Sequence, residues 1–76
     1  MAINENEIVK TAKEALDLAY DALKEKGYNP INQLTGYILS GDPSYITNNR
    51  KAKQMMIRFD RDEYMEELLN HYFADR

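Results

Sequence analysis

Between Glu7 and Lys26 the apolar positions Ile8, Ala12, Ala15, Leu16, Ala19, Tyr20 and Leu23 recur every three or four residues, with charged residues between them. That period predicts an amphipathic helix with one face turned to a core. Asn4 or Asn6 is placed to cap its start, and Gly27, after Lys24 and Lys26, supplies a left-handed stop behind cations suited to a helix C-terminus. Asn29 followed by Pro30 opens a second helix, running to about Ser40 with Ile31, Leu34, Tyr37 and Ile38 as its stripe and Gly41 as its end. Asp42 and Pro43 repeat the start signal at once. They predict a single turn over Ser44, Tyr45 and Ile46, with Thr47, Asn48 or Asn49 capping the next element.

A third helix is expected from about Arg50 to Phe59, with Ala52, Met55, Met56 and Phe59 on its apolar side. Asp60 and Glu63 form a capping-box pattern, which predicts a turn into a separate last helix; one continuous helix is the alternative. In that last helix Tyr64, Met65, Leu68, Leu69, Tyr72 and Phe73 cover a wider arc than one small core needs. Surplus apolar surface predicts an interface, with Leu68, Leu69, Tyr72 and Phe73 as its candidates. Gly36, inside the second helix, costs up to about 1 kcal/mol relative to alanine and predicts a close approach by another backbone. Tyr28, Tyr37, Tyr45 and Ile38 are expected to build the core around it, with the tyrosine hydroxyls finding partners.

The fold class is therefore all-α: a compact bundle of four to five short helices in a single domain over residues 1–76, without internal repeat or dividing linker. A core of this size supplies only about 3 to 5 kcal/mol, so small domains recruit a staple. The chain has no cysteine, and His71 is its only histidine, so disulfides are excluded and no metal or other cofactor is expected. A second subunit is the remaining staple, which predicts a homodimer. No window approaches the roughly 20 apolar residues of a membrane span, and Asn and Glu stand where a signal peptide carries Lys or Arg, so a cytoplasmic protein is expected.

Charge changes the picture. The net charge of −3 hides segments of −2 over residues 1–29, −1 over 30–47, +4 over 48–61 and −4 over 62–76. The basic segment carries Arg50, Lys51, Lys53, Arg58 and Arg61. On one helix, Arg50, Gln54, Arg58 and Arg61 form a ridge suited to an acidic protein partner or to the acidic last helix. A DNA-binding module using Arg50, Lys51, Lys53 and Arg58 is the alternative, and the negative total charge weighs against it. His71 has no companion that would complete a catalytic triad, the acids after Asp60 suit the first turn of a helix, and the glycine spacing matches no phosphate-binding loop, so no enzyme is expected. The hydroxyls of Thr11, Thr35, Ser40, Ser44 and Thr47 have capping or solvent roles as their simplest assignment.

The run GYNPxNQxxGYxLSGDPxYI, with Gly27, Tyr28, Asn29, Pro30, Asn32, Gln33, Gly36, Tyr37, Ser40, Gly41, Asp42, Pro43 and Tyr45 as its fixed members, resembles the IreB family of small bacterial regulatory phosphoproteins, as do Arg61 to Glu63 and Glu66 to Leu68. The resemblance covers about residues 16–73. It implies a compact all-helical symmetric homodimer without enzymatic activity. It further implies a substrate and effector of a Ser/Thr kinase with extracellular PASTA repeats, influencing cell-wall synthesis and cephalosporin tolerance, in some members through proteolysis of a cell-wall precursor enzyme. The family's phosphoacceptor threonines lie in a tail before the first helix. Here residues 1–7 hold no Ser or Thr, and Thr11 is the first hydroxyl. The family's Ala-Arg-x-x-Ile-Arg is also altered, to Ala52-Lys53 with Arg58 one position later, and lysine lacks the planar fork of arginine.

Overall fold

The computed structural model describes residues 9–76. Four α-helices follow one another, α1 (Ala12–Glu25), α2 (Pro30–Ser40), α3 (Ala52–Met56) and α4 (Arg61–Tyr72), with 3-10 turns at Pro43–Tyr45 and Asn49–Lys51 between α2 and α3. No strand occurs among the described residues. Helix α1 is the axis of the molecule, packing against α2, α3 and α4.

Helix α1 starts later than its periodicity predicts. Residues 9–11 are not helical; Thr11 is extended at φ −135°, and its Oγ1 accepts the Glu14 N–H at 3.1 Å. A hydroxyl competes for backbone donors, so threonine fits a cap better than a helix interior. The expected caps Asn4 and Asn6, and Ile8, lie outside the described residues. At the other end Gly27 takes φ 83°, while the Leu23 carbonyl accepts the N–H groups of Lys26 and Tyr28. The buried face of α1 is Ala15, Leu16, Ala19, Ala22 and Leu23, so small residues let α2 and α3 approach closely, whereas Tyr20 stays exposed.

Helix α2 has the limits its signals set. Asn29 Oδ1 accepts the Asn32 N–H at 3.1 Å, Pro30 opens the helix, and Gly41 closes it at φ 76°. Tyr37 is buried and Leu34 and Ile38 pack partly against the core. Ile31 is 62% exposed, which removes it from the expected stripe. Asp42 caps the following turn through Oδ1, which accepts the Ser44 N–H at 2.9 Å. Gln33 Nε2 donates to the Tyr45 carbonyl at 3.0 Å, and this brings the Tyr45 ring onto Gly36. A Cβ at Gly36 would stand 2.6 Å from Tyr45 Cδ1, so the close approach predicted there is made by an aromatic ring of the same chain rather than by a backbone.

Helix α3 is shorter than expected. Arg50 and Lys51 take φ 56° and 58°, in the left-handed region, and the α-helix begins only at Ala52. Asn49 explains this. Its Nδ2 donates to the Ala22 carbonyl at 3.1 Å and to Glu25 Oε1 at 2.9 Å, answering a carbonyl that the last turn of α1 leaves unpaired. Two non-glycine residues in that region cost about 1 to 2 kcal/mol each, which the tertiary bonds of Asn49 and the Arg50–Glu25 ion pair offset. Ala52 and Met56 are fully buried, with Met55 and Phe59 packed beside them.

Helix α4 is separate from α3. The Asp60 N–H donates to Glu63 Oε1 at 2.9 Å, and the Asp60 carbonyl takes the Glu63 N–H at 3.0 Å. Tyr64 is completely buried and its hydroxyl donates to the Met56 carbonyl. The rings of Tyr37 and Phe59 meet it edge to face at centroid distances of 6.4 and 6.1 Å. The core aromatics are therefore Tyr37 and Tyr64. Tyr28 and Tyr45, expected inside, are 50% and 38% exposed because the turns that carry them run over the surface.

Candidate functional site

The basic segment does not form one ridge. Helix α3 ends at Met56, so Arg50, Arg58 and Arg61 do not share its face, and each is bonded to a different element. Arg50 Nη1 lies 3.3 Å from Glu25 Oε2 on α1. Arg58 Nη1 donates to the Val9 carbonyl at 3.2 Å and fastens the chain ahead of α1. Arg61 Nη1 donates to the carbonyls of Ile38 and Leu39 at 3.1 and 3.4 Å, and its guanidinium covers Gly41. A cation at a helix C-terminus satisfies exposed carbonyls and opposes their dipole. Lys51 and Lys53 make no ion pair with any described residue.

The interface candidates lie on the surface together. Leu68, Leu69, Tyr72 and Phe73 are 45%, 47%, 76% and 48% exposed, and Met65 is exposed beside them. The Tyr72 and Phe73 rings pack edge to face at 4.8 Å. Between this half of α4 and the first turns of α1 runs a groove of about 180 Å³, lined by Lys13, Leu16, Asp17, Glu67, Leu68 and His71. Lys13 Nζ bonds Asp17 Oδ2 at 2.9 Å; that hydrogen bond and the carboxylate charge raise the ammonium pKa. His71 stands on the groove wall in the last turn of α4, and the lining contains no hydroxyl or thiol for it to activate. Among the described residues no group of three or more His, Asp or Glu could hold a metal ion, and no helix is long and apolar enough to cross a membrane.

The motif residues are occupied with architecture. Asn29, Gly41 and Asp42 cap or close elements, Gln33 and Gly36 seat Tyr45, and Ser40 Oγ donates to the Gly36 carbonyl at 2.7 Å while accepting the Asp42 N–H at 3.0 Å. A family model described as the IreB regulatory phosphoprotein matches residues 1–74. The chain belongs to this family. A UPF0297 protein of Lachnoclostridium phytofermentans is 56% identical over 63 residues, covering 83% of this chain and 70% of its own. Another, from Ruminiclostridium cellulolyticum, is 54% identical over 82 residues, covering 99% of this chain and 93% of its own. A third, from Acetivibrio thermocellus, is 55% identical over 71 residues, covering 93% and 79%.

Within this IreB-family chain, Arg61, Asn49 and Tyr64 make tertiary hydrogen bonds whose partners the sequence did not reveal. Arg61 begins a helix, where its charge opposes the helix dipole, and that local conflict was a usable sign that it serves another element. Asn49 and Tyr64 gave no such sign, because their partners lie 27 and 8 residues away in the chain.

Proposed function

We propose that the chain is a non-enzymatic cytoplasmic adaptor, a single domain over residues 1–76, that regulates through protein contacts. Its setting is a PASTA-type Ser/Thr kinase pathway controlling cell-wall synthesis and cephalosporin tolerance. Membership of the regulatory phosphoprotein family supports the regulatory part. The observation that carries the contact mechanism is the exposed apolar face of α4. Four large apolar side chains, 45% to 76% exposed together at the end of one short helix, are a surface to be covered.

Leu68, Leu69, Tyr72 and Phe73 are assigned to a symmetric homodimer. Lys51 and Lys53 are assigned to an acidic protein partner, the kinase or a cell-wall regulatory protein, while Arg50, Arg58 and Arg61 serve mainly to hold the fold. The DNA-binding alternative gains nothing: α3 has five residues, too few for a helix that reads a groove, and the arginines beside it are directed into the protein. Gene replacement in the native bacterium tests the proposal. Loss of the gene is expected to change cephalosporin tolerance, with Leu69→Asp and Lys53→Glu each failing to restore it. Unchanged tolerance on gene loss contradicts the pathway, and full restoration by both variants contradicts the surfaces.

A further inference from the structure

The C-terminal end of α1 holds two exposed cations that the charge sums along the chain conceal. Lys24 and Lys26 lie in a stretch whose total is negative, yet the fold sets them beside the turn where Arg50 and Lys51 have left-handed backbone. Between the two lysines stands Glu25. Its Oε1 accepts from Asn49 Nδ2 at 2.9 Å, its Oε2 lies 3.3 Å from Arg50 Nη1, and Asn49 also donates to the Ala22 carbonyl, one turn before Lys26. Two stretches 24 residues apart in the chain are thereby locked together. Lys24, Lys26, Arg50 and Lys51, all exposed, share one corner of the molecule, with Glu25 in their midst and Asp21 one turn back along α1.

The backbone marks the same corner independently. Arg50 and Lys51 take φ 56° and 58°, whereas Asn48, a residue type that enters the left-handed region more readily, stays right-handed at φ −76°. Glycine at position 51 would relieve the strain without removing a buried side chain, since Lys51 is exposed. Strain kept at two adjacent exposed cations works against the fold, and such strain gathers where a surface is used. The Arg50–Glu25 pair is itself exposed, 46% and 55% at the two side chains, so it holds Arg50 weakly, and a carboxylate from outside can share the guanidinium.

We propose, resting on the acidic-partner reading of the basic segment, that this two-segment corner is the docking surface and that it takes an acidic peptide segment of another protein. Carboxylates of that segment meet Lys24, Lys26, Arg50 and Lys51, and the half-exposed Tyr28, two residues past Lys26, offers aromatic contact beside them. Beyond the corner the surface is neutral. Residues 27–41 contain no charged side chain, so an acidic segment running onto α2 meets no like charge there. The site is also small: a nucleic-acid duplex or a bilayer would extend past it onto the acids of α1 and α4, and in a chain of net charge −3 those oppose a large polyanion. Asn49 is a positioning residue, which holds the two cationic stretches together through α1.

Fluorescence anisotropy of labelled octaglutamate titrated with the full chain tests this, with a single-stranded oligonucleotide and phosphatidylglycerol vesicles as competing anions. The expected result is salt-sensitive binding of the peptide, weakened about three- to tenfold by Lys24→Glu and by Lys26→Glu. Lys10→Glu makes the same change of charge ahead of the opposite end of α1 and is expected to leave binding unaltered. Lys51→Gly is expected to bind more weakly while unfolding at higher urea, a combination that a merely structural role does not produce. Peptide binding that responds to Lys53→Glu but not to changes at Lys24 and Lys26 overturns the corner and leaves the acidic-partner reading standing. No peptide binding at low salt overturns both. An equal loss in Lys10→Glu reduces the effect to net charge and overturns the site, and tighter binding of the oligonucleotide or the vesicles overturns the class of partner.

Discussion

The two halves of α4 each carry large apolar residues and have opposite fates. In the first half Arg61 closes α2, Glu63 closes the turn at Asp60, and Tyr64 is sealed among Tyr37, Phe59 and Met56. In the second half Leu68, Leu69, Tyr72 and Phe73 have water over about half or more of their surface. Polar atoms make the difference. Tyr64 ends in a donor that finds the Met56 carbonyl, so burying it leaves nothing unpaired, and the exposed Arg61 reaches the carbonyls at the end of α2. The second half presents apolar bulk that α1 covers only along one edge. The first half stabilises the fold, and the second is available to a partner.

The largest expected effect lies in the first half. Tyr64→Ala removes the central aromatic and should lower unfolding free energy by about 3 to 5 kcal/mol in urea titration. Tyr64→Phe removes the hydroxyl donor of the Met56 carbonyl, which keeps only the long bond from the Phe59 N–H at 3.4 Å, at about 1 kcal/mol. Burial pushes the Tyr64 phenol well above its ordinary value, with the nearby Tyr37 and Glu63 adding to it. The folded state thus favours the neutral phenol. That contribution is fully present below about pH 10, the unfolded value, and falls away as the pH rises through the folded one. Alkaline titration of stability should therefore fall more steeply for the wild type than for Tyr64→Phe.

In the second half, Leu69→Asp should weaken self-association by about 2 kcal/mol, roughly thirtyfold, while leaving the urea midpoint of the dissociated chain almost unmoved. A fall in monomer stability comparable with that of Tyr64→Ala would place Leu69 in the core and erase the contrast. Gly36→Ala drives a methyl into the Tyr45 ring and should cost about 1 to 3 kcal/mol. Because Tyr45 is partly exposed, the added change Tyr45→Ala should recover part of that loss, and a double-mutant cycle measures it. Smallest is Lys51→Gly, which relieves a left-handed conformation and should raise stability by about 1 kcal/mol.

What could be read from the sequence follows the range of the interactions. Gly27, Asn29, Gly41, Asp42 and Asp60 stop or start elements through contacts within a few residues, and their roles were legible. The start of α3 was not, because Asn49 reaches Ala22 on α1 and that bond overrides the local helical preference of Arg50 and Lys51. Apolar periodicity told which residues could be buried, not which would be: Ile31 obeys it and lies outside, since α2 spends its contacts on Tyr37, Leu34 and Ile38. The sign of the basic segment was correct, but the guanidiniums of Arg58 and Arg61 turn inward to carbonyls 49 and 23 residues away, which no pattern in the segment encodes. The exposed arc of α4 was legible as surplus, because its width exceeds what its neighbours can cover.

Light scattering coupled to size exclusion, run on the full chain and on Leu69→Asp over a wide dilution series, tests the covering of that arc most directly. The expected result is twice the chain mass for the wild type at micromolar concentration, falling to the chain mass on dilution, with Leu69→Asp folded and monomeric at concentrations where the wild type pairs. A wild-type chain that stays folded at its single mass throughout, indistinguishable from Leu69→Asp, would contradict it.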